Sequence, residues 1–237
     1  MQEARRAIHY AGIAKDRPLW IEAKMSECLL LARLGRNCKS FEGYKALLRP
    51  LKSFGNGRYL AEAHNNMASL IAQHGDYAEA WKHLKQAAQL WEFCGDENRL
   101  LSVKLNMCNV LFHTERLNRA RELLGAVFRH IAKGQSFEDV FAHALLLRAH
   151  DRCVRKRDWK RGLEDFKKSL TIQLKNREVR YLAQDSLTTF GLLKKFWQEQ
   201  NMNMKRPPKK ARIEDSLGEV GVLLMKIRSD QLSINPV

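Results

Sequence analysis

Apolar and polar residues alternate along much of the chain with the spacing of amphipathic helices. In residues 61–90 the apolar positions recur every three or four residues, and the pair Gly75 and Asp76 interrupts the pattern. Residues three or four apart lie on one face of a helix, and glycine commonly ends a helix. The pattern therefore predicts two helices joined by a tight turn, and the small residues Ala68 and Ala80 allow these helices to pack closely.

The same helix-turn-helix pattern recurs before and after this segment. It returns clearly in residues 101–142 and more loosely in residues 143–177 and 25–60, while residues 1–24 contain only the second helix of a pair. The residues that we align at the small position of the second helix are Ala4, Tyr44, Ala80, Ala120 and Gly162, spaced by 40, 36, 40 and 42 residues. Because Tyr44 is large, this alignment predicts that the first helix pair is pushed apart. Repeated helix pairs bury their apolar faces by stacking on their neighbours.

Residues 61–90 closely resemble a tetratricopeptide repeat. Met67 and Ala68 stand where the family has its Leu-Gly pair, and the residues that follow in the family's register are Gly75, Tyr77, Ala80, Leu84 and Ala87. The resemblance implies an all-α fold, a right-handed α-solenoid of antiparallel helix pairs. The spacing here exceeds the usual unit of about 34 residues, which predicts longer helices or longer connections.

The pattern divides the chain into three parts. The first is a repeat array at 1–200, made of a partial unit at 1–24, repeats near 25–60, 61–100, 101–142 and 143–177, and a capping helix at 178–200. Pro207 and Pro208 then interrupt the helical pattern and predict an exposed basic linker at 201–212. Residues 213–237 are predicted to form a short helix and tail. We expect this helix to dock on the end of the array near Phe196 and Trp197, with the groove beside Asn106 as the alternative.

The resemblance implies that the first helix of each pair lines a concave surface of the array. The residues predicted to line this groove are Asn65, Asn66, Ser69, Gln73, Asn106, Asn109, Phe112, His113, Arg148 and Arg155. Asn66 and Asn106 stand at an offset where peptide-binding members of the family carry Asn, whose amide both donates to and accepts from a peptide backbone. The alternative is that these amides bond to an adjacent helix or to solvent.

The charged residues bear on the partner. Arg148 and Arg155 indicate an acidic peptide segment, unless they belong to a solvated basic face. The formal net charge of +16 permits contact with nucleic acid, which we expect to be weak and non-specific. Residues 155–161 surround Trp159 with five cations and suit a nucleic-acid backbone, but Trp159 stands at a repeat position that is normally packed in the core.

A second basic segment, 205–212, resembles a nuclear import signal. Its cations are Lys205, Arg206, Lys209, Lys210 and Arg212, held around two prolines. The alternative is a plain charged linker. The chain shows no signal peptide and no run of eighteen apolar residues, so we expect an intracellular protein without membrane insertion, cytoplasmic with the nucleus as the second location.

No catalytic, phosphate-binding or metal-binding motif is present in the sequence. The five cysteines form no Cys-x-x-Cys pair and are expected to be free, mostly packed thiols. We therefore expect no enzyme activity and no cofactor. The sequence predicts an adaptor or scaffold that binds an extended peptide or a helix in its groove. The alternatives are a basic helical-repeat protein that binds nucleic acid and a regulatory fragment of a larger multidomain protein.

Overall fold

The computed structural model of the chain describes residues 2–133, 137–176, 182–201 and 208–232. Within these ranges the chain forms eleven α-helices, one π-helix and no strand. The α-helices are α1 (Gln2–Ile13), α2 (Arg17–Arg33), α3 (Asn37–Phe54), α4 (Gly57–Gln73), α5 (Tyr77–Phe93), α6 (Glu97–His113), α7 (Leu117–Ile131), α8 (Glu138–His150), α9 (Trp159–Lys175), α10 (Ala183–Asn201) and α11 (Pro208–Leu232). The π-helix (Asp151–Arg155) continues α8 directly.

The first residues of α2 to α7 are spaced by 20 residues. Most of the turns between them have the same chemistry. Gly35, Gly55, Gly75 and Gly95 take a left-handed conformation with φ between 66° and 85°, which glycine adopts without steric cost. The residue after the glycine caps the next helix, and the side chains of Asn56, Asp76 and Asp96 accept a hydrogen bond from its backbone. The 40-residue repeat is therefore two such 20-residue helix-and-turn segments.

This spacing corrects the alignment of the first helix pair. Ser40, Ala80 and Ala120 are fully buried and stand 40 residues apart, so Ser40 occupies the small position. The Ser40 hydroxyl donates a hydrogen bond of 2.7 Å to the Cys28 carbonyl, which satisfies it inside the helix contact. Tyr44 lies one turn further along and is fully buried in the core. The expectation that Tyr44 pushes the first pair apart is therefore wrong.

The chain divides into two compact units, Met1–Ala120 and Arg121–Val237. In the first unit, one apolar cluster joins α2, α3 and α4 around Tyr44, Leu47 and Met67. A second cluster joins α4, α5 and α6 around Leu84, Trp91 and a set of fully buried alanines. Each helix thus packs between the helices that precede and follow it, as in a stacked repeat.

In the second unit, an apolar cluster is formed by residues of α8, α9, α10 and α11. Trp159 lies in it, 5% exposed, with its ring centroid 4.9 Å from that of Trp197 in an edge-to-face contact. The interpretation of Trp159 as a core residue is therefore confirmed. The segment from Cys28 to Ser40 and that from Cys108 to Ala120 each span 12 residues, whereas the equivalent segment from Ala149 to Gly162 spans 13. The π-helix lies within this longer segment and accommodates the extra residue.

The end of the chain differs from the expected linker and short helix. Helix α10 extends to Asn201 and α11 begins at Pro208, so a 201–212 linker and a helix starting at 213 are both wrong. Proline is tolerated in the first turn of a helix, because the N–H that it lacks has no partner within the helix there. The apolar stripe of α11 packs on α9 and α10 in the cluster that contains Trp197, at the end surface that the sequence indicated.

Candidate interaction surfaces

The first unit presents a row of polar side chains on α4 and α6, which we call the polar face. Ser69 and Gln73 on α4 and Asn109 and His113 on α6 are exposed, and the other four residues are half-buried. The polar face comprises Glu62, Asn66, Ser69 and Gln73 on α4, and Ser102, Asn106, Asn109 and His113 on α6. Each residue of α6 stands 40 positions after its counterpart on α4, so the two helices present matching rows.

The asparagines of this region bond to neighbouring helices. The Asn106 amide nitrogen donates to the Asn65 side-chain oxygen at 2.9 Å and joins α6 to α4. The Asn66 amide nitrogen donates to the Tyr44 hydroxyl at 3.0 Å and joins α4 to α3. These bonds agree with the alternative interpretation, in which the amides bond to an adjacent helix. They also fix the orientation of both amides at the surface, since each side chain is anchored through its nitrogen.

Other predicted groove residues also contact their neighbours. The Gln73 side-chain oxygen accepts a hydrogen bond of 2.9 Å from Asn37, and the His113 ring stacks on Tyr77 with centroids 5.1 Å apart. The Ser69 hydroxyl donates to the Asn65 backbone carbonyl at 3.3 Å. Phe112 is buried, with only 3% of its surface exposed, and its assignment to the groove is wrong. One residue along a helix is a rotation of about 100°, which turns Phe112 from the exposed side, where His113 lies, to the core.

The predicted groove arginines lie in the second unit and are both engaged. The Arg148 guanidinium donates two hydrogen bonds of 2.8 Å to the Asp165 carboxylate and lies 4.0 Å above the Phe128 ring. Asp165 also accepts a 2.6 Å bond from Arg152, and Arg155 contacts the His150 ring nitrogen at 3.1 Å. Arg148 is therefore a structural ion-pair residue, because its planar donors are already matched to a buried carboxylate.

Four exposed cations, which we call the basic turn, lie in the turn before α9 and in the first turn of α9: Lys156, Arg157, Lys160 and Arg161. Asp151, at the start of the π-helix, is buried and accepts two hydrogen bonds of 2.9 and 3.0 Å from Arg121. Asp158 caps α9 and lies 3.7 Å from Arg161. Lys156 lies 3.9 Å from Asp151, and all four cations of the basic turn are exposed.

Burial favours the neutral forms of three cysteine thiols and of His64. Burial raises the pKa of Cys28 to about 11 and those of Cys108 and Cys153 to about 12, so these thiols stay protonated at neutral pH. Burial also lowers the pKa of His64 to about 4. Its ring nitrogen Nδ1 lies 2.8 Å from the Nδ1 of His83, so one ring donates and the other accepts.

Within the described ranges, no three His, Cys, Asp or Glu side chains are placed to share a metal ion. The helices in those same ranges include none with the length and apolar character needed to cross a bilayer. Of the predicted targeting residues, Lys205 and Arg206 lie outside the described residues. The side chains of Lys209, Lys210 and Arg212 also lie outside what is described, while their backbone forms the first turns of α11.

Two sets of residues were missed at the sequence level. Ser102 belongs to the polar face, and it could have been found by adding 40 to the number of Glu62. The pairs of Asp151 with Arg121 and of Asp165 with Arg148 join residues 30 and 17 positions apart. No spacing rule predicts these pairs, because the π-helix alters the helix face on which each residue lies.

Comparison with known proteins identifies the fold. No family model matches the chain, and neither does any curated protein. The crystal structure of BtubC (BKLC) from P. vanneervenii is similar over 100% of this chain and 92% of that chain, with a TM-score of 0.60 and 17% identity. A putative kinesin light chain from Podosopora anserina with nearly identical TPR-like repeats is 13% identical over 92% of this chain and 97% of that one. Its TM-score of 0.46 is too low to support an argument. The helix pairs of this chain and their agreement with BtubC show a tetratricopeptide-like repeat fold, an all-α solenoid of antiparallel helix pairs.

Proposed function

We propose that the chain is a protein-interaction scaffold that binds an extended peptide segment of a partner on its polar face. The observation that supports this is the repetition of amide and hydroxyl side chains at a 40-residue offset on α4 and α6. Amides and hydroxyls both donate and accept hydrogen bonds, which suits the N–H and C=O groups of a peptide backbone. The bonds to Asn65 and Tyr44 hold Asn106 and Asn66 in place, which lowers the entropy lost on binding.

The chemistry of the polar face favours backbone recognition over charge recognition. Glu62 is its one carboxylate, and its other members are Asn, Ser, Gln and His side chains. Such a surface selects a peptide by its extended conformation and the size of its side chains more than by its charge.

The proposal can be tested by selecting peptides from a random phage-displayed library against the folded chain. Selected peptides are then measured by titration calorimetry against the wild type and the double variant Asn66→Ala/Asn106→Ala. We expect the double variant to weaken binding by about tenfold or more, because two hydrogen-bonding side chains are lost from the contact.

A matched control removes two amides from another surface of the same unit. Gln86 and Gln89 on α5 are exposed, and Gln86→Ala/Gln89→Ala should leave the affinity unchanged. Equal losses in both double variants, or peptides that bind both as tightly as the wild type, would contradict the polar face as the binding site.

We further propose that the basic segment 205–212 directs nuclear import in a eukaryotic cell. The five cations around two prolines support this proposal. An import receptor, however, binds its signal as an extended chain rather than as a helix. The first turn of α11, which begins at Pro208, must therefore open for binding.

We expect a fluorescent fusion with Lys209→Ala, Lys210→Ala and Arg212→Ala to lose nuclear accumulation. A fusion with Lys194→Ala and Lys195→Ala, two exposed cations on α10, should accumulate like the wild type. An identical distribution of the triple variant and the wild type refutes the import role.

A further inference from the structure

The basic turn lies in a segment with a large excess of positive charge. Residues 148–161 contain seven Arg and Lys against two Asp. Of these cations, Arg148 and Arg152 bind the buried Asp165, whereas Lys156 and Arg161 make only long ion pairs, of 3.9 Å with Asp151 and 3.7 Å with Asp158. Arg157 and Lys160 form no hydrogen bond or ion pair with any part of the chain that the structure describes. Like charges this close repel one another, so the turn gains from any anion that comes between them.

The backbone of the turn holds one of these cations in an unfavourable conformation. Arg157 has φ of 55°, at the position where four other turns carry glycine. A side chain in this left-handed region is strained, and glycine avoids the strain. Lys15 and Glu115 share the conformation at their own turns, but only Arg157 is flanked by Lys156 and followed closely by Lys160 and Arg161.

We propose that the basic turn binds an acidic peptide segment of a partner protein. Lys156, Arg157, Lys160 and Arg161 lie within six residues, which matches a short run of carboxylates. Arg157 and Arg161 offer planar donors that bind a carboxylate through two parallel hydrogen bonds. The Lys156 side chain is 52% exposed and that of Arg161 is 71% exposed, so both reach a ligand without rearranging the core.

The geometry favours a peptide over nucleic acid. Proteins that bind single-stranded nucleic acid combine cations with exposed aromatic rings on which bases stack. Trp159, the one aromatic residue of the turn, is 5% exposed and packs against Trp197. The turn therefore offers charge but no stacking surface.

The proposal is independent of the polar face, because the two surfaces share no residue. The probe is a fluorescein-labelled octa-glutamate peptide, followed by fluorescence anisotropy at low salt and at about 0.15 M salt. We expect the variant Lys156→Gln/Arg157→Gly/Lys160→Gln/Arg161→Gln to bind the probe about tenfold or more weakly than the wild type. A charge-matched control, Lys39→Gln/Lys45→Gln/Arg49→Gln/Lys85→Gln, removes four exposed cations from α3 and α5 and should lose much less.

The single variant Arg157→Gly separates binding from folding. It relieves the strained backbone, so its melting temperature should rise, while its affinity for the probe should fall by a fewfold. This variant keeps the test valid if the fourfold variant unfolds. Gln86→Ala/Gln89→Ala, which removes two exposed amides of α5 that belong to neither surface, should bind the probe like the wild type.

Three results would overturn the proposal. Equal losses in the turn variant and the charge-matched control would mean that net charge alone attracts the probe. Unchanged affinity in the Arg157→Gly variant would show that Arg157 does not contribute to binding the probe. A single-stranded oligonucleotide of equal charge that binds the turn more tightly than the peptide would assign the surface to nucleic acid.

Discussion

Gly162 is the residue where the close approach of two helices is most demanding. A methyl group on Gly162 would lie 3.2 Å from the Ala149 carbonyl oxygen and the Cys153 backbone nitrogen, and would overlap the Cys153 sulfur. We expect Gly162→Ala to lower the free energy of unfolding by about 1–3 kcal/mol, because backbone atoms cannot move aside as a flexible side chain can. Chemical denaturation monitored by circular dichroism measures the change.

Gly191, in α10, provides the control for Gly162. A methyl group there meets nothing within 4 Å, so Gly191→Ala should raise stability by about 0.5–1 kcal/mol through the helix propensity of alanine. If Gly162→Ala is also neutral or stabilising, α8 and α9 do not cross at this residue.

The pair of His64 and His83 should make stability depend on pH. Burial, then the positive charges of His83 and Lys52, lower the pKa of His64 from 6.5 to about 4. The unfolded chain therefore binds more protons than the folded one between these values. Stability is fully present above pH 6.5 and is lost as pH falls towards 4, by an amount on the order of 3 kcal/mol.

We expect His64→Leu to flatten this dependence, as measured by urea unfolding at a series of pH values. The pKa of His83 is also lowered, chiefly by burial and against the pull of Glu79, so a small slope should remain. His74→Leu, which changes an exposed histidine, should keep the wild-type slope. A slope in the His64 variant as steep as in the wild type would show that other groups dominate.

Among the helices, α11 differs most from the helix that the sequence predicted. Val220 is fully buried in the apolar cluster of the second unit, whereas Val222, on the same helix, is 57% exposed. We expect Val220→Asn to destabilise by about 2–4 kcal/mol, since it places an amide in an apolar cluster. Val222→Asn should change stability by less than about 0.5 kcal/mol.

Differential scanning calorimetry of both valine variants tests whether α11 is an integral part of the unit. Similar melting temperatures for the two would mean that the helix is only loosely attached. Lys167 and Glu219 form an ion pair between α9 and α11, so the salt dependence of melting gives a second reading of the same contact.

The helix pairs were predictable because period and turn chemistry agree. The apolar spacing and Gly75-Asp76 located α4 and α5. Ser40 was overlooked because a hydroxyl in a helix contact looks unfavourable until its acceptor, the Cys28 carbonyl, is known. The π-helix was not predictable either, since one extra residue fits a loop as well as a helix.

The polar face was predicted only in part, for a physical reason. Asn106 and Asn66 were located by their matching offsets, but the same offsets admitted Phe112, which the helix rotation turns into the core. Arg148 looked available because its acceptor, Asp165, lies on a different helix. Ion pairs between helices depend on packing that a single sequence does not specify.

At the scale of the whole molecule, net charge governs non-specific association. Residues 121–237 carry 24 Lys and Arg against 14 Asp and Glu, and the remainder carries 18 against 12. We expect weak, sequence-independent binding of duplex DNA at low salt that disappears near about 0.15 M salt, because scattered cations release few counterions.

A salt titration followed by electrophoretic mobility shift measures this dependence. Random-sequence and defined-sequence duplexes should behave alike, and a charge-neutral dextran should not bind. Affinity that persists at physiological salt would instead favour the nucleic-acid alternative for the chain as a whole.

The even spacing of α2 to α7 has a consequence for how the chain is made. Helices α2 to α5 each pack on the helix that begins 20 residues later, so these contacts close short loops. During synthesis on the ribosome, a helix can therefore be covered soon after it emerges, without waiting for distant sequence. The apolar face of a nascent helix is then exposed only for the time needed to translate one further segment, which at about 5–20 residues per second is a few seconds.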